Sequence, residues 1–188
     1  MQNGIGSWGL RGVVAALVVS LAAIASAPSS AQADETPPAL AKMAGQYKYA
    51  GTRDQGVEIV EKATEEALAE LTMVLRMLIK KAMSSNFAET ILIETPPGKI
   101  GMKVGDLDKT TQPVGKTETV KAADGKREAK LTYEFDGSRI KATLASAEMS
   151  IFTYFTLAGD GKTLARDVTV TGKRLAKPVK YRLMYTRK

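Results

Sequence analysis

The chain has 188 residues, contains neither cysteine nor histidine, and carries a formal net charge of +7. These absences exclude disulfides, imidazole general bases, Ser-His and Cys-His nucleophile pairs, and metal centres held by thiolate or imidazole. Catalysis would be left with carboxylate, lysine or tyrosine chemistry, and no such arrangement stands out, so the reading is a non-enzyme without a cofactor.

Met1 to Ala33 divides into three parts. A short opening carries one basic side chain, Arg11. A 13-residue apolar run spans Val13 to Ala25, and small residues lead to Ala31-Gln32-Ala33, just before Asp34. This is the order of a secretory signal. Crossing a bilayer takes roughly 20 apolar residues, so the expectation is a cleaved signal and not a retained anchor. Ala25-Ser26-Ala27 also fits the small-residue rule, but Pro28 would follow the cut, so cleavage is expected after Ala33. The expected location is the periplasm or the exterior. Without cysteine, lipid attachment to a cysteine is excluded.

Removing that segment leaves 155 residues, enough for one domain with one core. Asp34 to Ala44, with Pro37-Pro38, reads as part of a flexible lead-in ending at Gly45, and the single domain follows from Gln46 to Lys188. Asp34 to Thr90 holds 9 acidic and 7 basic residues, whereas Ile91 to Lys188 holds 11 acidic and 19 basic. The positive charge therefore belongs to the later part, where it suits either a solvated outer face or an anionic envelope component.

Gln46-Tyr47-Lys48-Tyr49-Ala50 alternates and predicts a first strand. Asp54, in the loop after it, is the predicted N-cap of one long helix over Val57 to Met83. Val60, Ala63, Ala67, Leu71, Val74, Leu75, Leu78 and Ala82 share one face of it. Glu58, Glu61, Glu65, Glu66 and Glu70 crowd its first half and Arg76, Lys80 and Lys81 its end, in the order the helix dipole favours. Asn86 suits its termination.

Strands are predicted at Ala88–Glu94, Lys99–Val104, Lys116–Ala122, Arg127–Phe135, Arg139–Ser146, Glu148–Ala158, Thr163–Gly172 and Val179–Arg187. Asp124-Gly125, Asp136-Gly137 and Asp160-Gly161 mark tight hairpins. Ala129, Leu131, Tyr133 and Phe135 face one way in one strand, Ile140, Ala142 and Leu144 in the next, and Val179, Tyr181, Leu183 and Tyr185 in the last. A period of two with one polar face predicts an antiparallel up-and-down barrel or a strongly curved sheet.

Gly45-x-Tyr47-x-Tyr49-Ala50-Gly51, the amphipathic helix, Pro96-Pro97-Gly98, Asp160-Gly161-Lys162-Thr163-Leu164 and Pro178-Val179-x-Tyr181-x-Leu183-x-Tyr185-x-Arg187 resemble exported bacterial proteins described as lipocalin-like. The resemblance implies a small meander barrel and carries no catalytic residues. The helix, placed between the first strand and the rest, is more like that of the fatty-acid-binding barrels, where a helical pair caps the mouth.

Arg166 is the most informative single residue, because its row of Leu164, Arg166, Val168 and Val170 otherwise reads as inward. A buried guanidinium needs a carboxylate, a ligand anion or water. It reads as the anchor for an acidic head group, as a rim residue, or as outward in a register that turns Ala165, Asp167 and Thr169 inward. Phe152 and Tyr154 make their strand apolar on both faces, and the chain's own helix is the expected cover. Leu71 to Ile79 is apolar nearly all round and reads as packed core, with a portal or a dimer seam as the other readings. Asp106 and Asp108 read as a turn, since calcium takes six to eight oxygen ligands. Lys177, Lys180, Arg182, Arg187 and Lys188 form a basic ending on one strand face. Tyr181 and Tyr185 point away from it, which argues against nucleic acid.

Two readings of function follow. In the first, the barrel binds an apolar or amphipathic molecule against Leu131, Tyr133, Leu144, Val168, Tyr181 and Leu183, with Arg166 orienting a polar group. In the second, the barrel is filled and its basic outer face meets an envelope component. A carboxylate-based hydrolase is a weaker third.

Overall fold

The computed structural model describes residues 35–69, 71, 73–84, 87–121 and 128–188. The predicted export segment, Glu70, Asn86 and the Asp124-Gly125 hairpin lie outside the described residues, as do the side chains of Val74, Leu75, Leu78, Lys81 and Ala82.

Pro38–Ala41 forms a short helix, α1, within the segment read as a flexible lead-in. It is tied down because Leu40 and the following Met43 bury their side chains in the core. Strand β1 is Gly45–Tyr49, with Tyr47 and Tyr49 inward.

Helix α2 covers Arg53–Ala67 and starts at Thr52, not at Asp54. Thr52 and Gln55 form a capping box: the Gln55 amide donates to the Thr52 hydroxyl (3.3 Å) and the Thr52 amide to the Gln55 side chain (2.9 Å). Asp54 falls in the first turn, where its charge still suits the dipole. Gly56, Val60, Thr64 and Ala67 form the buried face.

The single long helix expected over 57–83 is two helices. Buried Leu68 leaves helical geometry, and the chain resumes as α3 at Met73–Ser84. The Arg76 guanidinium donates to the carbonyls of Ala69 and Leu71, satisfying acceptors released at the break. Lys80 reaches back to Glu65 (2.6 Å) and Glu61 (3.6 Å) on α2. A continuous helix of that length would extend about 40 Å; folding it back allows both halves to pack on each other.

The remaining strands are β2 (Thr90–Glu94), β3 (Lys99–Val104), β4 (Thr110–Pro113), β5 (Thr117–Lys121), β6 (Glu128–Phe135), β7 (Arg139–Ala145), β8 (Met149–Leu157), β9 (Thr163–Gly172) and β10 (Val179–Arg187). They form one antiparallel sheet ordered β4-β3-β2-β1-β10-β9-β8-β7-β6-β5. The expected antiparallel barrel is therefore what forms, with β1 joined to β10. Strand β4 escaped the sequence reading because Thr110-Thr111-Gln112-Pro113 has no apolar alternation; its inward residue is the buried Gln112.

Aspartates set the hairpins. Asp136 accepts from the amides of Ser138 and Arg139 (3.0 Å each), and Asp160 from those of Lys162 and Thr163 (2.8 Å each). Gly137 (φ 94°) and Gly161 (φ 65°) take the left-handed conformation these turns require.

The barrel is nearly closed. Its seam lies between β4 and β5, where β4 and the 114–116 connection meet β6. The Thr110 and Tyr133 hydroxyls are 2.6 Å apart, and the Gly115 amide donates to the Tyr133 carbonyl at 2.7 Å. The Gln112 amide nitrogen, oriented by its surroundings, donates to the carbonyls of Leu131 (3.0 Å) and Lys116 (3.3 Å).

Because neighbouring strands alternate in direction, α2, α3 and the 105–109, 146–148 and 173–178 connections gather at one end. The turns at 95–98, 136–138 and 158–162 gather at the other, with α1. Arg187 belongs to this lower end. The basic ending was expected to share one outer face, but Arg187 continues the inward row of Tyr185 and sits opposite Tyr47. It donates to the Tyr47 hydroxyl (2.7 Å) and the Lys42 carbonyl, while Tyr47 donates to the Met43 carbonyl (2.8 Å). Strand parity decides this: Lys180 and Arg182 are even-numbered and exposed, and Arg187 is not.

Candidate functional site

Arg166 faces into the barrel, with a relative exposure of 6%. The reading of a rim arginine and the register turning Asp167 inward are both set aside. On the sheet it lies between Phe155 of β8 and Leu183 of β10. Its diagonal neighbours on β10 are Tyr181 and Tyr185. The Tyr185 hydroxyl lies within the reach of the Arg166 charge and donates to the Ala88 carbonyl at 2.9 Å. The Tyr181 hydroxyl is different. It is buried to 7% exposure and makes no hydrogen bond among the described residues.

Burial raises the pKa of the Tyr181 and Tyr185 hydroxyls, and the Arg166 charge beside them pulls both back down. Tyr133 is likewise raised by burial, against the opposing effect of its hydrogen bond with Thr110. All three phenols are therefore neutral at ordinary pH.

Two rows of side chains climb from Arg166 toward the helical end. Tyr181, Val168, Thr153, Ala142 and Tyr133 pair across β10 to β6, and above them Val179, Val170, Ile151, Leu144 and Leu131. All seven predicted contact residues thus face inward. Arg166, Val168, Tyr181 and Leu183 adjoin on β9 and β10; Leu131, Tyr133 and Leu144 lie on β6 and β7, across β8. Leu144 is only half-buried.

The sequence reading missed Tyr185 as a neighbour of Arg166, although it stands two residues from Leu183 in the same inward row. It also missed Thr153, which interrupts the inward row of Ile151 and Phe155. A lone hydroxyl in an apolar row is the signal that points to it.

The outer face is more balanced than its basic count suggests. Arg182 makes two hydrogen bonds to Asp167 (2.5 and 3.0 Å), and Lys141 pairs with Glu134 at 2.8 Å. Phe152 and Tyr154 lie on this face, half-buried. The group over Tyr154 is the Arg139 guanidinium, 4.5 Å from the ring centre, and not the expected helix. Asp106 and Asp108 lie in the connection after Gly105 (φ 59°), a turn as read. Among the described residues no group of three acidic side chains is placed to hold a metal ion, and no helix is long and apolar enough to cross a membrane. Two surface depressions lie away from Arg166, one at Tyr49, Gln55, Glu58, Ile59 and Lys62, the other at Gln46, Thr90, Leu92, Lys103 and Asp106.

No family model matches the sequence, and no curated protein matches it either. Solved structures do. Fatty-acid-binding protein 1 of Echinococcus granulosus superposes with a TM-score of 0.50 at 14% identity, covering 78% of this chain and 97% of that one. A Schistosoma mansoni fatty acid binding protein in complex with arachidonic acid gives 0.49 at 16% identity, over 80% and 98%. A zebrafish ileal bile acid-binding protein complexed with cholic acid gives 0.47 at 14% identity, over 78% and 99%. At these identities the likeness is one of fold: a mostly antiparallel barrel with helices between its first two strands, of the fatty-acid-binding and lipocalin-like class.

Proposed function

We propose that this protein is a non-enzymatic carrier that holds a small amphipathic acid inside its barrel. The acid's anionic group would meet Arg166 and the Tyr181 hydroxyl, and its apolar body would lie against Leu131, Tyr133, Leu144, Val168 and Leu183. The observation that carries the reading is the Tyr181 hydroxyl, buried beside a buried guanidinium and lacking a hydrogen bond to any described residue. A buried polar group without a partner costs about 1–3 kcal/mol, and a ligand oxygen at that position would satisfy it. The binding of fatty acids by barrels of this fold is consistent with the reading.

The same proposal places the mature protein outside the cytoplasm, beginning at Asp34. N-terminal sequencing of the protein recovered from its host tests this; a chain still starting at Met1 would remove it. Native mass spectrometry of the host-purified protein tests the ligand. A reproducible small-molecule adduct is expected, and Arg166→Met is expected to lose at least tenfold in affinity for that acid. Unchanged affinity for every acidic ligand that the wild type binds would end the proposal.

A further inference from the structure

The interior is not uniformly available. Tyr47, Ile140 and Leu164 have no exposure at all, and Phe155 has 1%. Side chains so enclosed border no gap large enough for water. They fill the lower half of the barrel, and Leu40 and Met43 of the α1 segment join the same cluster. The wall of β2 and β3 is equally closed at Ile91, Ile93 and Ile100.

Higher on β9 and β10, Val168, Val170 and Val179 are closed too, at 2%, 0% and 0%, and the accessibility left on the β6–β10 wall lies beside them, mostly on β6 to β8. Ala129, Leu131, Thr153, Arg166 and Tyr181 keep 6–8%, and Ala142, Leu144 and Ile151 are half-buried. These residues share the upper part of the β6–β10 wall, with Arg166 at their lower limit. The small side chains of Ala129, Ala142 and Thr153 are what leave the room. Directly beside Arg166 the row of Leu183, Phe155 and Ile140 closes the floor.

From this we infer that the site selects medium-chain acids, of about ten carbons or fewer, and discriminates against long-chain ones. The inference rests on the carrier reading above. Four residues separate Phe155, paired with Arg166, from the half-buried Ile151 in the uppermost paired row, about 13 Å along a strand. An extended hydrocarbon advances roughly 1.3 Å per carbon, given C–C bonds near 1.5 Å, so about ten carbons span the open rows. A longer tail meets either solvent at the mouth or the packed floor, and gains nothing from further methylenes.

The test is isothermal titration of the delipidated protein with straight-chain carboxylates from hexanoate to palmitate, each below its micellar concentration. Affinity should rise about fourfold per methylene while methylenes are buried, and level or fall beyond decanoate. Palmitate binding more than tenfold tighter than decanoate overturns the inference and leaves the carrier reading standing. Failure of every acid to bind overturns both. Ala142→Leu should move the optimum to shorter chains by two or three carbons, and Leu144→Ala should move it to longer ones. If either variant folds with the wild-type optimum unchanged, the cavity is not where these residues put it, and the inference fails. The two act in opposite directions, so a folding defect in one leaves the other decisive.

Discussion

The Phe87 ring lies against the bare backbone of Gly56: a methyl group placed there would come within 2.0 Å of the ring. Phe87 also meets Tyr49 edge-to-face, with centroids 5.2 Å apart, and Tyr49 meets Tyr185 at 5.8 Å. This stack fastens α2 to the rim of the barrel. Glycine within a helix costs about 1 kcal/mol relative to alanine, whereas overpacking a core contact costs about 1–3 kcal/mol. The contact should win, so Gly56→Ala is expected to destabilise the protein in urea unfolding. In the Phe87→Ala background the same change should become neutral or stabilising. A stabilising effect of Gly56→Ala alone would show that the contact does not limit that position.

The barrel seam predicts a local weakness. Tyr133→Phe removes the hydroxyl that meets Thr110 at 2.6 Å. The expected loss is about 0.5–1.5 kcal/mol, seen as faster amide exchange in β4 and β5 before the rest of the sheet. Uniform acceleration across all strands would show that the seam does not open separately.

Tyr181 and Tyr185 should behave oppositely. Tyr185→Phe removes a buried hydroxyl that donates to the Ala88 carbonyl and leaves that acceptor without it, and should destabilise the unliganded protein by about 1–3 kcal/mol. Tyr181→Phe removes a buried hydroxyl that makes no hydrogen bond to any described residue, so the unliganded protein should hold or gain stability while ligand affinity falls. Thermal unfolding with and without the bound acid checks both. A destabilised Tyr181→Phe protein with unaltered affinity would contradict the assignment.

Acid should loosen the β6–β7 hairpin. Hydrogen bonds from Arg139 and Ser138 hold the Asp136 carboxyl well below the usual carboxylate range. Its folded-state pKa is depressed, so its contribution is present above pH ~4 and is lost as the pH falls toward the folded value. Asp136→Asn should therefore be less stable than wild type at pH 7, with the difference shrinking at pH 3. Urea unfolding at the two pH values measures it; a gap that widens in acid would reverse the sign.

Much of the barrel was legible in the chain. Residues 129–135, 140–144 and 179–185 alternate cleanly, and a period of two dictates which side chains share a face. Asp136-Gly137 and Asp160-Gly161 located their turns because only a few residues tolerate the required backbone angles. The helix break at Leu68 was not legible, because the apolar spacing runs on across it and the reason for stopping lies in Arg76 and Lys80 folding back. Strand β4 was not legible either, since the buried Gln112 is acceptable only when the carbonyls of Leu131 and Lys116 are brought to it.

The candidate site divides in the same way. Alternation by itself determined that Arg166, Val168, Tyr181 and Leu183 belong to inward rows, because a strand offers each side chain only two directions. Only the tertiary structure decided that Tyr181 and Tyr185 flank Arg166, that one hydroxyl is bonded and the other is not, and that Arg187 closes the lower end against Tyr47. Those facts depend on the stagger between strands and on what packs above and below each row. Pairing register and packing are properties of the assembled barrel, and no local stretch of sequence contains them.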